Sequence, residues 1–194
     1  MICTKVDELE TFMKESLKPS RYTHSLGVEK MARELAEIYG ENAEKAAFAG
    51  RYHDIAKCFT PDVMNAYVKE FGLPDMYIDN NPLAHSKVAA GILEHEFGVT
   101  DSEVLDAVRS HTTGRGNMSL LEEIIYVSDA IEENRNYPEL KELQEQARTD
   151  IDNVCLYIMD YTLDSLAKKG RIPDKDTVEA REFIIDKIRS KDGK

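Results

Sequence analysis

The sequence predicts an all-α protein, a compact helical bundle folded as one domain. Two observations carry that expectation. Apolar residues recur at three- and four-residue intervals through most of the chain, and no stretch alternates apolar with polar residues for long. The stretches between are short and marked by proline, glycine or capping residues, with no repeat, low-complexity segment or linker. At 194 residues the chain can bury a core without staples, and one domain over residues 1–194 is expected.

Val6, Leu9, Phe12, Met13 and Leu17 mark a first amphipathic helix, which Pro19 ends. Ser20 offers the next N-cap, and His24, Val28, Met31, Ala32, Leu35, Ile38 and Tyr39 follow at helical spacing until Gly40. A small-residue helix is expected from about Asn42 to Lys57. Thr60-Pro61 starts another, with Val63, Tyr67 and Phe71 on its face, and Gly72-Leu73-Pro74 ends it. Asn81-Pro82 opens a helix with His85, Val88, Ala89 and Ile92 on one face, closed by Gly98. Thr100 and Glu103 have capping-box spacing ahead of Val104, Val108 and His111. Ser119 and Glu122 repeat it ahead of Leu121, Ile125 and Asp129. A short helix follows Pro138. Asp150 can cap a long one carrying Ile151, Val154, Cys155, Ile158, Thr162 and Leu166, and a last helix begins near Thr177.

Composition narrows the function. A formal net charge of −12 argues against a nucleic-acid duplex as ligand, because phosphate backbones need a basic surface. It leaves room for a small phosphorylated molecule beside a metal and a few arginines. No apolar run is long enough to span a bilayer, and Met1–Glu8 does not read as a signal peptide. Three widely spaced cysteines, Cys3, Cys58 and Cys155, fit reduced thiols in the cytoplasm.

The chemistry lies in His53-Asp54, an imidazole and a carboxylate side by side in a stretch of mostly small or apolar residues. His24, His85, His111 and Asp129 recur in similar helical contexts. Each histidine taken singly is more often a hydrogen-bonded core residue than a ligand. Together, six N/O donors from five predicted helices suit one or two ions of the iron, manganese, zinc or cobalt type, and burying them without an ion would be costly. A metal-activated water is then the natural nucleophile, so a metal-dependent hydrolase is expected. His95, between Glu94 and Glu96, reads as a surface residue. Lys57 is either a cation at a helix end or a phosphate contact. Thr112 and Thr113 lie where hydroxyls and loop N–H groups can hold phosphate oxygens, although Gly114 is equally a plain helix stop. Arg21, Arg115 and Arg135 flank ligand-bearing positions.

The order His24, His53-Asp54, Asp129 resembles the HD-domain metal phosphohydrolases, and the added His85 and His111 resemble their binuclear members. Arg21-Tyr22-Thr23-His24-Ser25-Leu26-Gly27-Val28, His53-Asp54-Ile55-Ala56-Lys57, His111-Thr112-Thr113-Gly114 and Tyr126-Val127-Ser128-Asp129-Ala130-Ile131-Glu132 resemble the bacterial YqeK-type branch, over about residues 16–181. That branch comprises symmetrical dinucleoside tetraphosphatases, which cut diadenosine tetraphosphate into two ADP in an all-helical domain, often as homodimers. The resemblance implies two divalent ions, with iron expected and manganese or cobalt as alternatives. It implies His24, His53, Asp54, His85, His111 and Asp129 as ligands, with Asp54 bridging. Lys57, Thr112 and Arg135 would contact phosphates, Arg21 and Thr113 would join the substrate contacts, and Ile172 would stand at the nucleoside edge. Arg51, Ser86, Ser128, Glu133 and Glu182 depart from the branch's usual residues, and Asp174-Lys175-Asp176 alters a spacing near its end. Two further readings follow from the HD likeness: a mixed-valent di-iron oxygenase and a nucleotide-binding regulatory module. No Gly-Tyr-Pro occurs, which disfavours a cyclic-dinucleotide phosphodiesterase of the HD-GYP type.

Overall fold

The computed structural model describes residues 2–136 and 138–193, so Met1, Tyr137 and Lys194 of the expected domain lie outside the described residues. Ten α-helices and one short 3-10 turn make up its regular structure, and no strand occurs among the described residues. In chain order they are α1 (Val6–Ser16), α2 (Pro19–Tyr39), α3 (Ala43–Tyr52), α4 (Pro61–Glu70), α5 (Asn81–His95), α6 (Ser102–Ser110), α7 (Leu120–Ile131), α8 (Leu140–Ala147), α9 (Ile151–Lys168) and α10 (Lys175–Asp192). The 3-10 turn, Asp75–Tyr77, lies between α4 and α5 and had no signal in the sequence.

The core gathers apolar faces from most of these helices: Leu9 and Met13, Leu35, Ile55, Ile92 and Leu93, Ile124 and Ile125, and Met159 are all fully buried. α2 and α3 run closest together. A Cβ on Gly50 would meet the Val28 carbonyl oxygen at 3.0 Å and the Glu29 Cα at 3.1 Å, so only a glycine allows this approach. That approach brings the end of α3 against the middle of α2.

Four expected boundaries are corrected. Pro19 starts α2 rather than merely ending α1: it occupies the first turn, where its missing N–H goes unneeded, and Lys18 rather than Ser20 is the N-cap residue. α3 stops at Tyr52, and 53–58 continue as tight turns closed by Lys57 N–H to Asp54 O at 2.8 Å and Phe59 N–H to Ala56 O at 3.1 Å. Asp101, not Thr100, caps α6, its carboxylate accepting from the N–H groups of Glu103 and Val104. α10 begins two residues before Thr177, because the Asp174 carboxylate accepts from the Asp176 N–H. The capping box at Ser119 and Glu122 and the Asp150 cap of α9 form as expected. His95 is exposed at the end of α5, its ring 5.1 Å from that of Phe71.

Candidate metal centre

Asp54 is the hub of the site. It follows α3, is 1% exposed, and points its two carboxylate oxygens in different directions. Oδ1 faces His85 Nε2 at 3.2 Å and His111 Nε2 at 3.4 Å. Oδ2 faces His53 Nε2 at 3.5 Å, His24 Nε2 at 3.8 Å and the Arg21 guanidinium at 2.9 Å. Asp129, in the last turn of α7, closes the second half: His24 Nε2 lies 3.0 Å and His53 Nε2 3.6 Å from its Oδ1. The six residues expected as ligands are therefore brought together, as two lobes that share Asp54.

They do not all come from helices. His24, His85 and Asp129 project from α2, α5 and α7, whereas His53, Asp54 and His111 stand in the turns just after α3 and α6. Gly114 makes the second of these turns. Its φ is +65°, and an added Cβ would lie 2.8 Å from the Ala180 Cβ, so the turn packs under α10 only with glycine there.

The orientation of the four imidazoles follows one rule. His53 Nδ1 donates to the Gly50 carbonyl at 2.7 Å, His85 Nδ1 to the Asn81 carbonyl at 3.2 Å and His111 Nδ1 to the Val108 carbonyl at 2.8 Å. His24 Nδ1 donates to the Glu132 carboxylate at 3.1 Å. These partners can only accept, so each Nδ1 keeps its proton and each Nε2 is aimed inward.

The consequence is a buried crowd of electron-rich atoms. His85 Nε2 and His111 Nε2 lie 3.1 Å apart, and neither can donate to the other in these tautomers. His53 Nε2 and Asp54 Oδ1 are buried without a hydrogen-bond partner. Such atoms are expensive to bury unless a cation joins them. Two groups, His24–His53–Asp129 and His53–Asp54–His111, offer donor atoms all within 4.8 Å of one another, a spread an ion can span. The donor set, nitrogen and oxygen with no thiolate, fits divalent ions of the kind expected.

Electrostatics agree. Burial would push the Asp54 carboxyl up, but the charge of His53 and the imidazoles of His111 and His85 hold it well below the usual carboxylate range. Asp129 is held low in the same way, burial being outweighed by His24, His53 and Arg135. Burial would lower His53, yet Asp54 and Asp129 raise it to about 9, a measure of how strongly the two carboxylates call for positive charge. Burial pushes His111 down to about 4 and lowers His85 too, against the pull of Asp54, so both present the neutral form a metal needs.

Cations ring the mouth. Lys57 Nζ donates to His85 Nε2 at 2.9 Å and lies 3.7 Å from Asp54 Oδ1. The Thr112 hydroxyl is 3.1 Å from His85 Nε2 and 3.2 Å from His111 Nε2. Arg135 pairs with the Asp129 carboxylate and donates through Nε to the Asp129 carbonyl at 2.6 Å. Two expected substrate contacts are not in this group. Thr113 is buried and its hydroxyl donates to the Gly114 carbonyl, while Ile172 stands 94% exposed on the α9–α10 loop. Arg115 pairs with Glu122 at the start of α7.

A cavity of about 200 Å³ opens beside the cluster. His111, Thr112, Asp129 and Arg135 form its polar side, and Tyr126, Ala130, Ile158 and Thr162 of α7 and α9 its other wall. Larger hollows lie around Lys45 and Asp101 and around Arg51 and Glu10, but none of the six clustered residues lines them. Chemistry rather than size picks out the site.

Helices that present histidines and aspartates in this order define a metal-dependent hydrolase fold, and the HD domain family model matches residues 21–134. The chain belongs to the HD domain family. It is 38% identical to the symmetrical bis(5'-nucleosyl)-tetraphosphatase of Bacillus subtilis (strain 168), over 92% of this chain and 97% of that protein. Identity to the symmetrical bis(5'-nucleosyl)-tetraphosphatase of Halalkalibacterium halodurans is 36%, over 86% of this chain and 89% of the other. A crystal structure from Clostridium acetobutylicum, described as a predicted HD superfamily hydrolase involved in NAD metabolism, superposes with a TM-score of 0.89 at 36% identity and covers 95% of this chain.

Proposed function

We infer that this protein is a metal-dependent hydrolase that cuts diadenosine tetraphosphate symmetrically into two ADP. The observation that carries the reading is the cluster itself, four inward Nε2 atoms gathered round two carboxylates, with His53 Nε2 and Asp54 Oδ1 buried without a hydrogen-bond partner. The near full-length likeness to symmetrical bis(5'-nucleosyl)-tetraphosphatases supplies the substrate. Nothing in the site favours the oxygenase or the regulatory module.

The two lobes support two ions. His24, His53 and Asp129 would hold one, His85 and His111 the other, and Asp54 would belong to both through its separate oxygens. Iron is the metal we expect. Bound there, divalent ions would polarise phosphate oxygens and bring the pKa of a water toward neutrality. The protein's own part is positioning. Lys57, at the His85 side, and Arg135, at the Asp129 side, flank the hub and can hold neighbouring phosphates of one chain. Their spacing decides which phosphorus stands over Asp54. Arg21, already paired with Asp54, adds a third charge. Thr112 places a hydroxyl on the same surface. The cavity of about 200 Å³ beside α7 and α9, with Tyr126 and Ile158 on its apolar wall, could take part of one nucleotide half but not the whole dinucleotide.

Symmetric cleavage requires attack at a phosphorus beside the central bridging oxygen, with ADP leaving. Chromatography of the products tests this. ADP should be the only nucleotide product, with or without oxygen, and a chelator should stop turnover. AMP with ATP would refute symmetric cleavage, and turnover only in air would favour the oxygenase.

We further propose a single-domain, cytoplasmic homodimer, with no nucleic-acid or membrane partner. The dimer rests on the resemblance. Cys3, Cys58 and Cys155 are all free thiols, in keeping with a reducing compartment, and among the described residues no helix is long and apolar enough to cross a membrane.

A further inference from the structure

Glu132 stands just after α7, is 1% exposed, and belongs to none of the groups assigned above. Its carboxylate is shared between two elements. Oε1 accepts from His24 Nδ1 at 3.1 Å. Oε2 accepts from the Asn134 backbone N–H at 2.7 Å and from its side-chain amide at 2.9 Å. The Glu132 carbonyl in turn accepts from the Arg135 N–H at 3.0 Å. One residue thus grips the imidazole on α2 and folds the turn that delivers Arg135.

α2 makes room for it. Gly27 lies one turn after His24, and a Cβ there would sit 2.2 Å from Glu132 Oε2 and 3.0 Å from its Cδ. Any side chain at 27 would displace the carboxylate. Among the four clustered histidines, His24 alone has a carboxylate behind it, since the other three donate to main-chain carbonyls. A charged acceptor fixes the Nδ1–H tautomer more firmly than a carbonyl and makes Nε2 a stronger donor to a metal.

We propose that Glu132 is a positioning residue that aligns His24 for metal binding and, through the Asn134 turn, sets Arg135 against the same lobe. Gly27 is the complementary space that lets it do so. The proposal rests on the metal-centre reading, so the experiment separates the two.

Metal affinity is measured by chelator competition with Mn²⁺ on the wild type, Glu132→Gln, Gly27→Ala and Asn134→Ala, with His24→Ala as reference. Unfolding of each metal-free variant is followed in parallel. Glu132→Gln and Gly27→Ala should each weaken Mn²⁺ binding about 10- to 100-fold, the usual effect of removing the partner of a ligating histidine. Asn134→Ala should keep the metal and raise KM for the dinucleotide with kcat little changed, because only the turn bearing Arg135 is loosened. A wild type that binds no Mn²⁺ would overturn the metal-centre reading. A wild type that binds while His24→Ala does not, together with Glu132→Gln at wild-type affinity, would overturn the Glu132 proposal alone. A merely structural role would lower the melting temperature of metal-free Glu132→Gln and leave its Mn²⁺ affinity unchanged, which also counts against it. An unchanged KM in Asn134→Ala would remove the link to Arg135.

Discussion

Single residues at this site do two jobs that are easy to confuse, holding an ion and holding a phosphate. Lys57 and Arg135 both touch the cluster, Lys57 through His85 and Arg135 through Asp129. Both also keep about a third of their side chains in contact with solvent, at 34% and 31%. A side chain that faces outward and carries positive charge is free to meet an anion. Lys57→Ala and Arg135→Ala should therefore retain metal yet lose about 1.5–3 kcal/mol in kcat/KM each, the scale of a charge-assisted hydrogen bond. Steady-state kinetics with metal analysis checks this, and unchanged kinetics in both variants would make them simple charge partners of the cluster. The six clustered residues were legible in the sequence because histidine and aspartate on apolar helical stripes are costly without a task. Thr113 was not, since adjacent threonines in a turn point different ways and only Thr112 faces the histidines. Glu132 was missed although it left a trace: an acid at the C-terminal end of a helix opposes the helix dipole and needs a reason. Gly27, inside a helix one turn after a histidine, was its counterpart.

At the scale of elements, the sequence placed every α-helix, most of them by periodicity, and capping chemistry placed several of their ends. It failed where two candidates competed, as with Thr100 and Asp101, because spacing does not say which side chain reaches the first N–H groups. It also carried α3 too far, since His53-Asp54 continues a helical pattern that the backbone abandons at Tyr52 to aim both side chains inward. The charged contacts that help tie α10 to the bundle were not visible in the sequence. Lys187 of α10 reaches Glu123 of α7 at 2.6 Å and Asp152 of α9 at 3.1 Å, and Lys191 reaches Asp152 at 2.5 Å. Glu123 is fully buried, and burial raises its carboxyl from an ordinary 4.5 to about 7 despite the Lys187 partner, with Asp152 adding repulsion. An acid whose pKa is raised by folding favours the native state while protonated. That contribution is whole below about 4.5 and fades as pH rises through about 7. The stability of the wild type relative to Glu123→Gln should accordingly decline across this window. Denaturant midpoints of both proteins at a series of pH values decide it, and a flat difference would mean that Lys187 fully compensates the buried charge.

Across the whole molecule, the metal site and the fold are one object. α2, α5 and α7, with the turns after α3 and α6, all converge on Asp54, so the site exists only when the bundle is assembled. An ion that binds this arrangement and not the unfolded chain stabilises the native state by mass action, by about 2.7 kcal/mol at a free concentration one hundred times its Kd. For a chain of 194 residues that corresponds to a rise in Tm of roughly 5–10 °C. At equal free concentration the effect should exceed that of a surface ion, because an ion that satisfies the buried Asp54 Oδ1 and His53 Nε2 should bind more tightly. Scanning calorimetry in chelator and at rising Mn²⁺ measures it. Asp54→Asn should lose on both counts: its metal-free form should melt below the metal-free wild type, because Arg21 and His53 lose the buried carboxylate they pair with, and its response to Mn²⁺ should shrink. Equal Tm with and without metal in the wild type would mean that the converging donors are satisfied by protons alone, and that the helices meet at Asp54 for a reason other than an ion.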